Sequence, residues 1–178
     1  EEGQAGGGYD VELDAAGIPI YLQFKLSDYM RTHGAKEANH QTEPMAVPYY
    51  RFQITSAATS DQHAHLLGLA ETFRSVYYTA PSFWTTRALN TFWGKAEVCE
   101  NSVFIAPDAI GPFTDNSRHA VCFNPLQQAN LTCKVYSDPQ KVPLLTIKDL
   151  RAAIDQTLKV DEEPIRKKLS LWRSNLSV

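Results

Sequence analysis

The stretch GYDVELDAAGIPIYLQFK, Gly8 to Lys25, constrains the fold more than any other part of the sequence. Side chains alternate across a strand with period two. In YDVEL, Tyr9, Val11 and Leu13 share one face and Asp10 and Glu12 the other. In IPIYLQFK, Ile18, Ile20, Leu22 and Phe24 share one face, and Pro19, Tyr21, Gln23 and Lys25 share the other. DAAG between them suits a turn, with Gly17 available for a positive φ. With Asp14 to Gly17 as the loop, Asp10 faces Tyr21, and Gln23 becomes its diagonal neighbour at about 7–8 Å. The register that places the apolar rows together also gathers Asp10, Glu12, Gln23 and Lys25 on one side. A half-buried hairpin ordinarily has such a polar row, and ordinarily that row is only solvated.

The residue types admit a second reading. A carboxylate, an amide oxygen and an ammonium at the ends of adjacent strands suffice for a hard cation and a water. Magnesium takes oxygen ligands and often needs one or two carboxylates from the protein. A neighbouring lysine can orient or deprotonate the attacking water.

GYD followed across a hairpin by QFK resembles the active-site signature of the PD-(D/E)xK nuclease superfamily. It is most similar to the Mrr-like branch, in which glutamine replaces the second acid and the motif reads D…QxK. The resemblance covers Gly8 to Lys25 and extends loosely to Pro81. It implies that Asp10 binds metal, that Gln23 is the variant second ligand and that Lys25 is the catalytic lysine. It also implies that the Phe24 backbone carbonyl completes the protein share of the shell, with Phe24 itself packed inward. Glu12 is a further possible ligand on the same face. The implied cofactor is Mg²⁺ or Mn²⁺, and the implied activity is a metal-dependent endodeoxyribonuclease of restriction or anti-phage defence. The partners would be DNA and a partner subunit of a defence system. The rival reading is a catalytically inactive nuclease-like domain that serves as a binding or assembly module. The superfamily often carries another acid on a preceding helix, for which Glu1 or Glu2 are candidates.

Composition sets outer bounds. A chain of 178 residues with 43% apolar residues holds one full-sized core. A single nuclease-like domain is expected, with a core over about residues 8–81 and a family-specific extension over about 82–178. The first residue is glutamate and EEGQAGGG reads as a linker, so the native N-terminus is expected to lie upstream. No run of about 18 apolar residues is present to span a membrane. Cys99, Cys122 and Cys133 form no CxxC pair, which speaks against zinc and for a reduced, cytoplasmic chain with buried thiols. The net charge of −3 argues against a broad nucleic-acid surface, though not against a local one.

The expected fold class is α/β (α+β): a mixed β-sheet flanked by helices, a restriction-endonuclease-like core, and helical additions at the C-terminal side. Strands are expected at Tyr49–Ile54, around SVYYTAP, around SVFIAP and around RHAVCFNP. Helices are expected near Ser27–Thr32, from Ser60 to Phe73, and over SFWTTRALNTFWGKAEV with Trp84 and Trp93 in the core. Thr146 is a candidate N-cap for a helix with Ile147, Leu150, Ile154 and Leu158 in one stripe, and a last helix is expected at Glu162–Leu171. Gln62 and His63 near a helix N-terminus could contact a substrate phosphate, or could merely belong to a capped, solvated turn. Arg51 could contact a phosphate or pair with an acid in the sheet.

Overall fold

A computed structural model describes residues 8–15, 18–136, 140–156 and 158. Glu1, Glu2, Ala16 and Gly17 of the expected loop, and the expected helix at Glu162–Leu171 lie outside these residues.

The fold is mixed α+β, as expected, but it has two sheets. The first has the order β1 (Val11–Ala15), β2 (Ile18–Phe24), β5 (Val76–Pro81), β6 (Ser102–Ile105). The second has the order β3 (Asp28–Met30), β4 (Tyr49–Ile54), β7 (His119–Phe123), β8 (Cys133–Tyr136), β9 (Gln140–Val142). Pairing is antiparallel throughout except between β2 and β5, which run parallel. A parallel pair needs a long crossover, and here it contains β3, β4 and helix α1 (Gln62–Thr72). Helices α2 (Thr86–Gly94) and α3 (Pro107–Ile110) follow β5 and β6, and a fourth, α4, runs over residues 147–156.

One core draws on both sheets. Tyr21, Val76 and Tyr78 of the first sheet join Phe52, Ile54 and Val121 of the second, with Leu66 of α1 among them. On the opposite face of the first sheet, Ile20, Leu22, Tyr77 and Phe104 pack against Leu150, and Ile147 and Ile154 flank them. β2 is therefore covered on both faces, which is why IPIYLQF is apolar on both parities rather than cleanly alternating. Thr146 caps α4 as expected. Its backbone N–H and its hydroxyl donate to Asp149 Oδ2 at 2.8 and 2.7 Å, and the Asp149 N–H donates back to Thr146 Oγ1 at 3.4 Å.

Several expectations change. The segment near Ser27–Thr32 forms the short strand β3 rather than a helix, because Asp28, Tyr29 and Met30 pair with Arg51, Tyr50 and Tyr49. Residues after Pro81 are not a helical appendage; they supply β6 to the first sheet and β7, β8 and β9 to the second. Trp84 and Trp93 are not core residues, being 52% and 74% exposed. No side chain of α2 itself is buried; Phe92 is half-buried and meets Phe83 at 5.2 Å between ring centroids. Cys122 and Cys133 are buried free thiols, raised in pKa by burial, whereas Cys99 is exposed. Among the described residues no helix is long and apolar enough to cross a membrane.

Candidate active site

The β1–β2 hairpin brings Asp10 and Gln23 together in a register two positions away from the expected one. Ala15 pairs with Ile18 and Val11 with Leu22, so Glu12, not Asp10, faces Tyr21. Asp14 and Ala15 are strand residues, and two residues remain between the strands instead of four. Two-residue loops are the commonest hairpin connection. A shift of two preserves the parity of every side chain, so the shared face survives the error. Asp10 lies one step beyond Val11 and directly meets Gln23.

The contacts are short. Asp10 Oδ2 accepts from Gln23 Nε2 at 2.7 Å and from the Phe24 backbone N–H at 2.7 Å. The same Gln23 NH₂ group donates to the Phe24 carbonyl at 3.2 Å. The Asp10 N–H donates to Leu22 O at 2.9 Å, continuing the hairpin ladder past β1. Asp10 is exposed while Gln23 is 5% exposed, so the cluster runs from solvent into the protein. Gln23 Oε1 is buried and has no hydrogen-bond partner among the described residues. Leaving a buried acceptor unmet costs about 1–3 kcal/mol, and such an atom marks a place where a further group belongs.

Lys25 follows on the same face. Its backbone N–H donates to Thr79 O at 2.9 Å, which extends the parallel β2–β5 ladder to the end of β2. Its ammonium donates to Gln62 Oε1 at 2.6 Å and stands 5.5 Å from the centroid of the Tyr78 ring. Tyr78 is anchored in turn. His63 Nε2 lies 2.8 Å from the Gly111 carbonyl and must donate to it, so Nδ1 accepts from the Tyr78 hydroxyl at 3.0 Å. Burial pushes the Tyr78 hydroxyl up and the His63 imidazole down in pKa, which keeps both neutral behind the lysine.

Gly8 locks this arrangement to α1. Its φ is +67°, and a Cβ there would lie 2.9 Å from His65 Cβ and 3.0 Å from the Gln62 carbonyl oxygen. Only glycine fits both the conformation and the gap. The glycine of GYD thus seats the Asp10 segment against the helix turn that carries the partner of Lys25.

The remaining predicted residues fall elsewhere. Glu12 is exposed and accepts from the Tyr9 hydroxyl at 3.1 Å; no hydrogen bond joins it to the Asp10 cluster among the described residues. The Phe24 carbonyl accepts from Gln23 Nε2, and the Phe24 side chain is 49% exposed rather than packed inward. It stands at the strand end, outside the cluster that buries Ile20 and Leu22. His63 is buried with both ring nitrogens engaged, which removes it as a phosphate contact. Gln62 belongs to the site, but as the acceptor for Lys25 rather than as a helix-end anion contact. Arg51 takes the sheet-pairing alternative: it donates to Asp28 at 3.1 Å and to Glu37 at 3.3 Å on the second sheet. The roles of Gln62 and Gly8 were not legible in the sequence, since both depend on where α1 docks.

The Asp10 carboxylate and the Phe24 carbonyl both face the Gln23 amide. Among the described residues no three His, Cys, Asp or Glu side chains converge, so a site for a soft or carboxylate-hungry metal is not present there. Magnesium asks less of the protein. The Gln23 NH₂ now fills the point on which the Asp10 carboxylate and the Phe24 carbonyl converge. A half-turn of the amide exchanges its nitrogen and oxygen. Gln23 Oε1 would then join Asp10 Oδ2 and the Phe24 carbonyl around one point, at the loss of the two hydrogen bonds the NH₂ group makes. Comparisons with protein-family models, curated protein sequences and solved structures gave no match.

Proposed function

We propose that this chain is a magnesium-dependent nuclease of the PD-(D/E)xK kind that hydrolyses phosphodiester bonds in DNA, in restriction or anti-phage defence. The observation that carries the reading is the single cluster in which Asp10, the half-met Gln23 amide and the Phe24 carbonyl meet, with Lys25 beside them on the same strand face. Asp10, Gln23 and the Phe24 carbonyl would hold the metal. Bound there, magnesium would polarise a phosphoryl oxygen and lower the pKa of its water. Gln62 accepts from the Lys25 ammonium at 2.6 Å and so restrains where that side chain sits. The buried Tyr78 ring lies 5.5 Å from the ammonium and makes a cation–π contact with it. Lys25 thereby acts as a positioned donor rather than a ligand.

Calorimetric titration with Mg²⁺ or Mn²⁺ tests the assignment of roles. Asp10→Ala should abolish metal binding, Lys25→Ala should leave it within about twofold, and Gln23→Glu should strengthen it by supplying a second carboxylate. Equal binding by wild type and Asp10→Ala would overturn the site.

A second reading is favoured by one specific observation. Leu26, Trp84 and Trp93 are 92%, 52% and 74% exposed, apolar surface that a partner would cover if the three form one patch. In that reading the domain has lost catalysis and works as an assembly module of a defence complex. Absence of metal binding, together with loss of a partner on Trp93→Ala, would transfer the lead to it.

A further inference from the structure

The segment between β3 and β4 encloses a cavity on the outer face of the second sheet. Arg51, Gln53, Ala120 and Tyr136 form its floor, and Lys36, Glu37 and His40 come from the segment above. Arg118 lies at the rim. The volume is about 730 Å³, inside the range of about 300–1,000 Å³ usual for small-molecule sites. The walls are fixed from below. Lys134 donates to Glu43 Oε2 at 2.6 Å, the Tyr136 hydroxyl donates to the Glu43 carbonyl at 2.7 Å, and Arg51 and Tyr49 both donate to Glu37. Met45 and Ala38 pack beneath against Tyr49 and Cys122. The cavity is thus a built feature of the segment rather than a gap in a loose loop.

Its charge runs against that of the chain. The whole sequence carries −3, yet Lys36, Arg51 and Arg118 all line this one concavity. Glu37 lines it too, but its carboxylate is already engaged by Arg51 and by the Tyr49 hydroxyl. Lys36 and Arg118 are exposed and make no ion pair among the described residues. Arg51 Nε is buried with no hydrogen-bond partner among those residues. Arg51 is itself held by Asp28 and Glu37, so Lys36 and Arg118 supply the unpaired positive charge of the cavity, and an ammonium beside a guanidinium suits phosphate. Met30, Ala35 and Ala120 add apolar lining for an organic body.

We propose that this cavity binds a small organic phosphate, with the phosphate held by Lys36 and Arg118 and the organic part against the apolar lining. The site is separate from the Asp10 cluster and does not depend on the nuclease reading.

The test is calorimetric titration of the full chain in magnesium-free buffer with adenosine 5′-monophosphate, glucose 6-phosphate, adenosine and citrate. At least one phosphate ester should bind with a Kd below about 1 mM, more weakly as salt rises, and adenosine should not bind. The double variant Lys36→Ala/Arg118→Ala should weaken that binding by about tenfold or more. Both residues are exposed, so the variant should fold; Arg51→Ala would strand the buried Glu37 and is the poorer probe. Asp10→Ala should bind the ester as wild type does. No binding of either ester at about 10 mM, tighter binding of citrate than of both esters, or binding unchanged in the double variant would overturn the proposal.

Discussion

At the scale of single residues, the site is a set of obligations that neighbouring atoms meet or leave unmet. Gln23 donates to Asp10 and to Phe24, and its oxygen has no partner among the described residues. Gln62 is the residue through which α1 acts on Lys25. Gln62→Ala should therefore lower cleavage by about tenfold to a hundredfold, as loss of a positioning contact does, while metal affinity stays unchanged. A metal titration run beside the rate measurement separates positioning from ligation. His63 gives a pH prediction. Its folded-state pKa lies below the ordinary histidine value because burial disfavours the charged ring. The unfolded chain then binds the proton more readily, so this residue stabilises the fold above about pH 6.5 and that stability is lost as pH falls below it. Urea midpoints from pH 8 to pH 5 should fall for the wild type, and fall less for His63→Gln, whose amide does not titrate.

The elements explain which parts of the fold could be read from the sequence. Parity was legible: alternation put Asp10, Gln23 and Lys25 on one face, and an error of two residues in register left that result intact. Which face met the larger core was not legible, because β2 is apolar on both sides and alternation cannot rank two buried faces. Phe24 shows the consequence. Being 49% exposed, Phe24→Ala should cost about 1 kcal/mol instead of the 3–5 expected for a core phenylalanine. Leu66→Ala, at a fully buried position on α1, should cost about 2–5 kcal/mol. Chemical denaturation of the two variants reads both. β3 was missed because three residues with no strong alternation become a strand only by pairing with β4. Trp84 and Trp93 were misplaced because aromatic residues at helical spacing look like core, whereas Trp84 precedes α2 and Trp93 points away from what the other described residues bury. Gly8→Ala belongs to this scale as well. A Cβ at 2.9 Å from His65 Cβ, with φ at +67°, should push the Asp10 segment away from α1. A loss of about 1–3 kcal/mol in stability and a fall in cleavage together are expected.

Over the whole molecule, two sheets share one core, and the parallel β2–β5 pair sets Lys25 beside α1 at the strand end. The long segment between Lys25 and Tyr49, more than a minimal hairpin-and-helix core needs, roofs the cationic cavity on the second sheet. Residues after Pro81 complete both sheets, so truncation there should unfold the protein rather than free a compact nuclease core. Circular dichroism of residues 1–81 alone, showing no cooperative melt, would be the expected result. The central claim is that the Asp10–Gln23–Lys25 cluster cuts phosphodiester bonds with the help of a divalent metal. Its most direct test is the rate of supercoiled-plasmid cleavage by wild type and Lys25→Ala across a magnesium titration. Wild type should cleave only with the metal present, and Lys25→Ala should be slower by about 10²–10⁴-fold at every magnesium concentration. Cleavage by Lys25→Ala at the wild-type rate, or no metal-dependent cleavage by wild type, would contradict it.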